Sequence, residues 1–236
     1  MKHTPSTFFS QNPWSWKELV YLMLLTFLFV PVFIENLLMH RLTQWFQNDL
    51  YSGTLTGLMM AILFTTGVYL IALRPKGVSW KAIGWQKFRA SYWGWILLWY
   101  VFIFIGAVII SYLVEIWFGM GTENSKTESL VSRLSAFNML IAFLSAAVIS
   151  PIYEEIFYRG FLYRWTRSQY GVIAGMIVST LIFTLAHLPT YNQLPYAFFT
   201  GFVFAWTYEK TASIFPAIFL HGLFNGTVFL LTVLGY

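Results

Sequence analysis

Long stretches without a charged residue dominate the pattern of hydrophobic and polar positions along this chain. No Asp, Glu, Lys or Arg occurs at residues 19 to 34, 50 to 73, 90 to 114, 134 to 153, 168 to 208 and 211 to 236. About 20 apolar residues allow a helix to cross the hydrocarbon core of a bilayer. The first stretch reaches that length when it is extended past its flanking glutamates, and the stretch 168–208 is long enough for two crossings. The pattern therefore predicts seven membrane spans.

The predicted fold is an all-α, polytopic integral membrane protein. With ends placed to within about four residues, the spans lie at residues 18 to 38, 54 to 73, 92 to 117, 135 to 158, 172 to 188, 194 to 208 and 213 to 234. The connections are short, so we expect one integral domain and no separate soluble one. The polar first sixteen residues, with no small-residue cleavage site after the first apolar run, are not typical of a removable signal peptide.

Composition narrows the functional classes. Only 10% of the residues are charged and 58% are hydrophobic, whereas a soluble domain is about one quarter charged. A water-soluble globule is thereby excluded. The chain has no cysteine, which excludes disulfides, thiolate metal sites and cysteine nucleophiles. The net charge of +5 comes from basic residues concentrated in loops, so it reflects topology and predicts no nucleic-acid partner.

Positive charges predict the orientation. The N-terminal tail and the second, fourth and sixth connections hold 11 of the 14 Lys and Arg residues, whereas the other side has only Arg41, Lys126 and Arg133. Because cytoplasmic loops are enriched in Lys and Arg, we expect a cytoplasmic N-terminus and an external C-terminus. The expected location is a bacterial plasma membrane.

Two connections have a distinctive composition. The second, RPKGVSWKAIGWQKFR at residues 74–89, alternates basic with aromatic residues. We interpret it first as a topology signal, with recognition of anionic lipid or docking of a substrate as alternatives. The polar stretch GTENSKTESL at 121–130 is interpreted as an external connection.

Ionisable residues that interrupt apolar helices are the candidate functional residues, because a charged side chain near the bilayer centre costs roughly 2.5–3.5 kcal/mol. Glu154 and Glu155 end an uncharged run, and Arg159 follows Glu155 at i+4 on the same helical face. That pairing favours an ionised Glu155, while Glu154 points elsewhere and is free to exchange a proton. The alternative is that both glutamates are solvated charges at headgroup level.

Two histidines and an asparagine complete the candidate set. His187 lies near the end of the fifth span, and His221 and Asn225 lie one turn apart on the seventh. Gly222 and Gly226 form a stripe beside them that lets another helix approach closely. Each residue alone has a structural interpretation: an interfacial histidine at His187, or helix packing at the glycines.

The spacing predicts that these side chains converge. If the fourth and fifth spans turn near Gly171, Glu155 and His187 are each 16 residues from the turn and reach the same depth. A carboxylate beside a histidine can deprotonate water, and His or Asn donors can stabilise the resulting oxyanion. Two histidines and a glutamate are also zinc-ligand types. The set therefore indicates hydrolysis, with direct activation of water by glutamate favoured over zinc.

The ordered motifs resemble the signature of the CAAX protease and bacteriocin-processing family, also called the Abi family, which includes the type II CAAX prenyl endopeptidases. They are Glu154-Glu155-x-x-x-Arg159, Phe183-x-x-x-His187 and His221-x-x-x-Asn225. The resemblance covers roughly residues 135 to 234 and implies an all-helical intramembrane protease with a cavity open to the cytoplasm.

The resemblance also implies a role for each motif residue. Glu154 would activate water together with His187, and His221 with Asn225 would form the oxyanion hole. The remaining two residues, which would support the site, are Glu155 and Arg159. Family members have been described both as metalloproteases and as glutamic proteases. If zinc binds, its candidate ligands are Glu154, His187 and His221; the favoured interpretation needs no cofactor.

These inferences predict the domain organisation and the function. Residues 1–130 would embed and orient the protein, and 131–236 would form a four-helix catalytic core. The expected substrate is a membrane-associated peptide or lipid-anchored protein, cleaved by CAAX-type or bacteriocin-leader processing, with membrane lipids as further partners. The alternative function is a noncatalytic bacteriocin self-immunity or scaffold protein. A proton-coupled transporter is disfavoured, because the polar residues lie in one half of the chain without an inverted counterpart.

Overall fold

The computed structural model describes residues 5–119 and 135–234. This part of the chain contains no β-strand, and the structure is 88% helical. The predicted all-α fold class is confirmed. The loop 121–130, interpreted above as an external connection, lies outside the described residues.

The helices are numbered here in chain order and include π-helical stretches of up to 14 residues and short 3₁₀ turns within their bounds. They are α1 (Pro5–Ser10), α2 (Trp16–Phe46), α3 (Asp49–Lys76), α4 (Ala90–Phe118), α5 (Ala136–Leu185), α6 (Leu194–Thr211) and α7 (Ile214–Leu234).

Five of these helices, α2, α3, α4, α5 and α7, are long and apolar enough to cross a membrane. Their outward surfaces carry large apolar side chains, as expected where lipid replaces water as the solvent. The chain is therefore an integral membrane protein. Helix α6 is not among the five, whereas the 50 residues of α5 include the positions of two predicted spans. The number of seven crossings thus stays a prediction.

Helix α5 consists of two arms joined at Gly171. This glycine has φ 85° and ψ 177°, a non-helical conformation that L side chains rarely adopt, and the chain reverses there. The arms then pack closely, since a Cβ on Gly175 would lie 3.1 Å from the Cα of Arg167. Ring contact between Phe183 and Tyr158, with centroids 5.1 Å apart, extends the pairing. The turn predicted near Gly171 is present.

The first arm of α5 continues to the turn, past its predicted end at residue 158. Arg164 and Arg167 do not end this helix, because each forms hydrogen bonds inside the protein. Arg164 donates to the main-chain carbonyls of Phe8 and Gln11 at 3.0 and 2.6 Å. Arg167 binds both carboxylate oxygens of Glu209. Paired charges are tolerated where isolated ones are not.

The loop at residues 74–89 packs against the end of the bundle that carries Arg164 and Arg167. Tyr208 of α6 donates from its hydroxyl to the carbonyl of Ile83 at 2.9 Å. Phe9 of α1 is fully buried against Tyr163 and Tyr208, with ring centroids 5.8 and 5.1 Å apart. This end, which also holds Lys210, is called the basic end below.

Candidate active site

The candidate site is built on the stretch Glu155–Tyr163 in the first arm of α5, where the backbone widens into a π-helix. All nine residues of this stretch are buried. Wide turns of this kind often occur at functional sites, because they change the direction of side chains relative to a regular α-helix. A carboxylate and a guanidinium in such a stretch require internal partners.

Glu155 and Arg159 form a buried ion pair with each other. Arg159 Nη1 donates to Glu155 Oε1 at 2.9 Å, and neither side chain has any exposed surface. The other terminal nitrogen of Arg159 donates to the carbonyl of Gly201 at 3.0 Å. A side chain on Gly201 would approach this nitrogen to 3.2 Å, so glycine there lets α6 come close. The Glu155–Arg159 pair is thus bound to α6 through the hydrogen bond from Arg159 to Gly201.

His221 of α7 joins the two adjacent glutamates. Its Nδ1 lies 2.9 Å from Glu155 Oε1, which already accepts a hydrogen bond from Arg159. That oxygen therefore acts as an acceptor, and the hydrogen-bond network places a proton on Nδ1. The opposite nitrogen, Nε2, lies 3.7 Å from Oε2 of Glu154. This oxygen is buried and makes no hydrogen bond with the described residues.

Aromatic rings fix the plane of the His221 imidazole. Phe204 of α6 stacks on it with centroids 4.7 Å apart and planes 19° from parallel. Phe183 meets its edge at 5.8 Å and 88°. The Arg159 guanidinium lies over both phenyl rings, at 4.5 Å from Phe183 and 5.4 Å from Phe204. Such contacts between a cation and a ring are favourable when desolvated.

His187 reaches this cluster through Phe183. It lies in the turn just after α5, half-buried, with Nδ1 2.8 Å from the carbonyl of Phe183. The two rings also contact each other, with centroids 4.7 Å apart. Phe183 thus touches both imidazoles, and four predicted site residues form one directly linked cluster with His187 beside it. The four are Glu154, Glu155, Arg159 and His221.

Asn225 lies one turn beyond His221 and is engaged with the first arm of α5. Its side-chain amide donates to the carbonyl of Ala146 at 3.0 Å. The structure thus gives Asn225 a helix-tethering contact, and its second N–H remains for the oxyanion role that the resemblance implies.

Gly222 determines how closely α7 approaches the candidate site, and we expect Gly222→Ala to displace His221. An added Cβ would clash with the carbonyl oxygen of Ala147, a main-chain atom that cannot rotate away. We expect destabilisation by about 1–3 kcal/mol from overpacking, measured by thermal unfolding in detergent. The matched control is Gly94→Ala on α4, where nothing lies within 4 Å of the new methyl group. Equal stability of the two variants would contradict this assignment.

Phe204 is expected to position His221, since it stacks on the imidazole. Phe204→Leu keeps the apolar volume but removes the stacked ring, a contact worth about 0.5–1.5 kcal/mol. For the catalytic activity proposed below, we therefore expect kcat to fall roughly 2–10-fold with little change in KM. Phe202→Leu, on the exposed side of the same helix, is the control. Equal loss in both variants would assign Phe204 to general packing.

The zinc alternative would use the other nitrogen of each imidazole. Nδ1 of His221 is engaged with Glu155 and Nδ1 of His187 with the carbonyl of Phe183, which leaves Nε2 of both rings as the nitrogen a metal would take. Within the described residues, the His, Asp and Glu side chains form no group of three that could hold a metal ion as placed.

Two site residues lie outside the predicted set, both on α6. Gly201 accepts the hydrogen bond of Arg159, and Phe204 stacks on His221. A glycine in an apolar helix indicates close approach of another helix, so Gly201 had a usable signal. Phe204 had none, because it is one of 24 phenylalanines in a chain that is 21% aromatic.

Comparison with known proteins places this site within a described family region. Residues 136–227 match the family model of "Type II CAAX prenyl endopeptidase Rce1-like" proteins. The resemblance predicted from the three motifs is confirmed over these residues. This Rce1-like region contains α5, α6 and most of α7, including every predicted site residue.

Two curated relatives are similar to part of the chain. "Putative membrane peptidase YdiL" of Bacillus subtilis (strain 168) is 28% identical over 108 residues, 46% of this chain and 43% of the relative. "UPF0177 protein YbdI" of Lactococcus lactis subsp. lactis (strain IL1403) is 28% identical over 107 residues, 44% of this chain and 54% of the relative. The matched part spans about half the length of these relatives. No solved structure matches the chain.

Proposed function

We propose that this chain is an intramembrane endopeptidase in which Glu154 activates water. One observation carries the proposal: in the Rce1-like region, His221 is bound to buried Glu155 and faces Glu154. A carboxylate that orients an imidazole beside a second acid or base recurs in hydrolytic sites.

The charges of the cluster support an acid–base role. Glu154, Glu155 and Arg159 in their ionised forms sum to one negative charge. Because Nδ1 of His221 is engaged by Glu155, Nε2 is the nitrogen that faces Glu154 Oε2, at 3.7 Å. A carboxylate and an imidazole nitrogen placed on opposite sides of one gap can act together as base and acid on a group bound between them.

The proposed reaction begins with water beside Glu154. Glu154 takes a proton from the water as its oxygen bonds to the scissile carbonyl carbon, and the carbonyl oxygen becomes an oxyanion. His221, protonated at Nε2, and the free amide N–H of Asn225 stabilise that charge. When the C–N bond breaks, Glu154 returns its proton to the departing amine. We assign to His187 the activation of this water together with Glu154, as the resemblance implies.

The proposed substrate is a peptide segment of a membrane-associated or lipid-anchored protein. Cleavage by CAAX-type processing is supported by the family description, which names prenyl endopeptidases. The second proposed reaction is leader-type processing of a bacteriocin. The site is buried between apolar helices, so a substrate already held at the membrane would reach it at the lowest desolvation cost.

Purified protein incubated with matched prenylated and unprenylated peptides tests the function. We expect cleavage detected by mass spectrometry, resistance to a zinc chelator, and loss of cleavage in His221→Gln. The control is His40→Gln, which replaces an exposed histidine on α2. Chelator-sensitive cleavage would overturn the glutamate mechanism. A folded protein that binds but never cleaves its target, with an unchanged cellular phenotype in His221→Gln, would favour the noncatalytic immunity alternative.

We further propose that the basic end faces the cytoplasm. The chain has no cysteine, so labelling of a single introduced cysteine shows on which side of the membrane that residue lies. In intact cells, an impermeant maleimide is expected to label Gln44→Cys and to spare Ser79→Cys, which lies in the loop of the basic end. The reverse labelling would invert the proposed orientation.

A further inference from the structure

The exposed cations of the loop at residues 74–89 are an unused feature of the basic end. Four of them are exposed and form no ion pair with any described residue. These four are called the basic collar: Arg74, Lys81, Lys87 and Arg89. Lys76 differs, because its ammonium binds Glu18 at 3.1 Å.

Carboxylates at this end are already occupied within the protein. Glu18 accepts from the hydroxyl and the backbone N–H of Ser15, at 2.6 and 2.7 Å, besides binding Lys76. Glu209 is held by Arg167 and by the hydroxyl of Tyr163. Neither acid is available to the collar, and no other acid of the described residues pairs with it, so its charge is open to anions from outside the chain.

Aromatic side chains place the collar at headgroup level. Trp80 and Trp85 flank Lys81, and their ring contacts continue to Tyr69 on one side and Phe215 on the other. Trp85 is 39% exposed. Tryptophan and tyrosine rings concentrate where acyl chains meet headgroups, so we expect the cations beside them to lie next to lipid phosphates.

The buried side of the same loop is fixed to the helices of the Rce1-like region. Ile83 is fully buried, and a Cβ on Gly160 would lie 2.9 Å from the Ile83 Cβ, so this contact is close. The carbonyl of Gly84 accepts from the backbone of Ile214 at 2.9 Å. Gly160 directly follows Arg159 of the candidate site, so the loop joins the collar to the helix that carries the site.

We propose that the basic collar binds the phosphate headgroups of acidic phospholipids, and that this binding stabilises the helix of the candidate site through the contact of Ile83 with Gly160. A rigid, cationic and uncompensated surface at headgroup level matches an anionic bilayer surface in charge. This inference does not depend on proteolysis, since lipid binding and stability are measured without a substrate.

The test compares the full chain with two quadruple variants. The neutral variant is Arg74→Gln, Lys81→Gln, Lys87→Gln and Arg89→Gln. The charge-retaining variant is Arg74→Lys, Lys81→Arg, Lys87→Arg and Arg89→Lys. Each is reconstituted in nanodiscs of phosphatidylcholine with or without phosphatidylglycerol, and Tm is recorded. In parallel, retained phosphatidylglycerol is counted by native mass spectrometry after extraction in detergent.

We expect phosphatidylglycerol to raise the Tm of the wild type and of the charge-retaining variant, but not of the neutral variant. The neutral variant is also expected to retain acidic lipid roughly tenfold or more weakly, and 0.5 M salt should weaken retention by the wild type. An equal response of all three proteins would overturn the proposal. So would a wild type indifferent to acidic lipid, because the collar would then serve topology or an acidic protein partner.

Discussion

Glu154→Gln is expected to lower the rate of peptide hydrolysis about 10²–10⁴-fold, the range that a positioned general base contributes. Glutamine has the size of glutamate and keeps one oxygen, but its amide cannot accept a proton from water. Oε2 of Glu154 is buried, faces His221 Nε2 at 3.7 Å, and makes no hydrogen bond with the described residues. Substrate binding should persist, so kcat is expected to fall with little change in KM.

The control for this prediction is Glu115→Gln, which replaces an exposed carboxylate on the membrane helix α4. Both variants should elute as folded protein and unfold at temperatures close to that of the wild type. Retention of most activity by Glu154→Gln would remove Glu154 from the reaction. His221 paired with His187 would then be the next candidate for water activation.

Local spacing explains why part of the site could be predicted from the sequence. Glu155 and Arg159 are four residues apart, and side chains at that spacing share a helical face whatever surrounds the helix. The turn at Gly171 was equally local, because only glycine readily adopts its backbone conformation. Together these features placed Phe183 opposite Tyr158 and brought His187 towards the glutamates.

Contacts between distant helices explain what could not be predicted. Local spacing gave Glu154 no partner and the resemblance paired it with His187, yet α7 brings His221 Nε2 to 3.7 Å from its Oε2. The contributions of Gly201 and Phe204 depend on where α6 crosses α5, a packing geometry that no single segment encodes. Asn225 was expected to face the reaction, but its amide is bound to Ala146. The oxyanion role proposed for Asn225 therefore depends on its second amide N–H.

Helix ends were predicted well where a glycine ends the helix and poorly where charged residues lie within it. Helix α4 ends at Phe118, against a predicted end at residue 117, and the next residue, Gly119, has φ 60°. The first arm of α5 runs well past residue 158, because its charged residues are paired inside the protein. Hydropathy treats every charge as a boundary, whereas the folded chain distinguishes a solvated charge from a paired one.

The largest loss of stability is expected from Arg159→Met, which leaves the carboxylate of Glu155 buried with His221 as its remaining hydrogen-bond partner. Removing one member of a buried ion pair costs about 3–5 kcal/mol, mostly because the other charge is left uncompensated. Arg159 has no exposed surface, and its loss also removes the donor to Gly201. Thermal or denaturant unfolding in detergent, with the exposed Arg41→Met as control, measures the effect.

A double variant separates stability from catalysis. Arg159→Met combined with Glu155→Gln removes both charges, so it is expected to recover a large part of the lost stability. Activity should stay low, because the neutral amide that replaces the Glu155 carboxylate is a weaker acceptor for the hydrogen bond of His221. The imidazole would then be held less firmly. Recovery of both stability and activity would limit the pair to folding. Recovery of neither would mean that Arg159 acts mainly through Gly201 and the rings of Phe183 and Phe204.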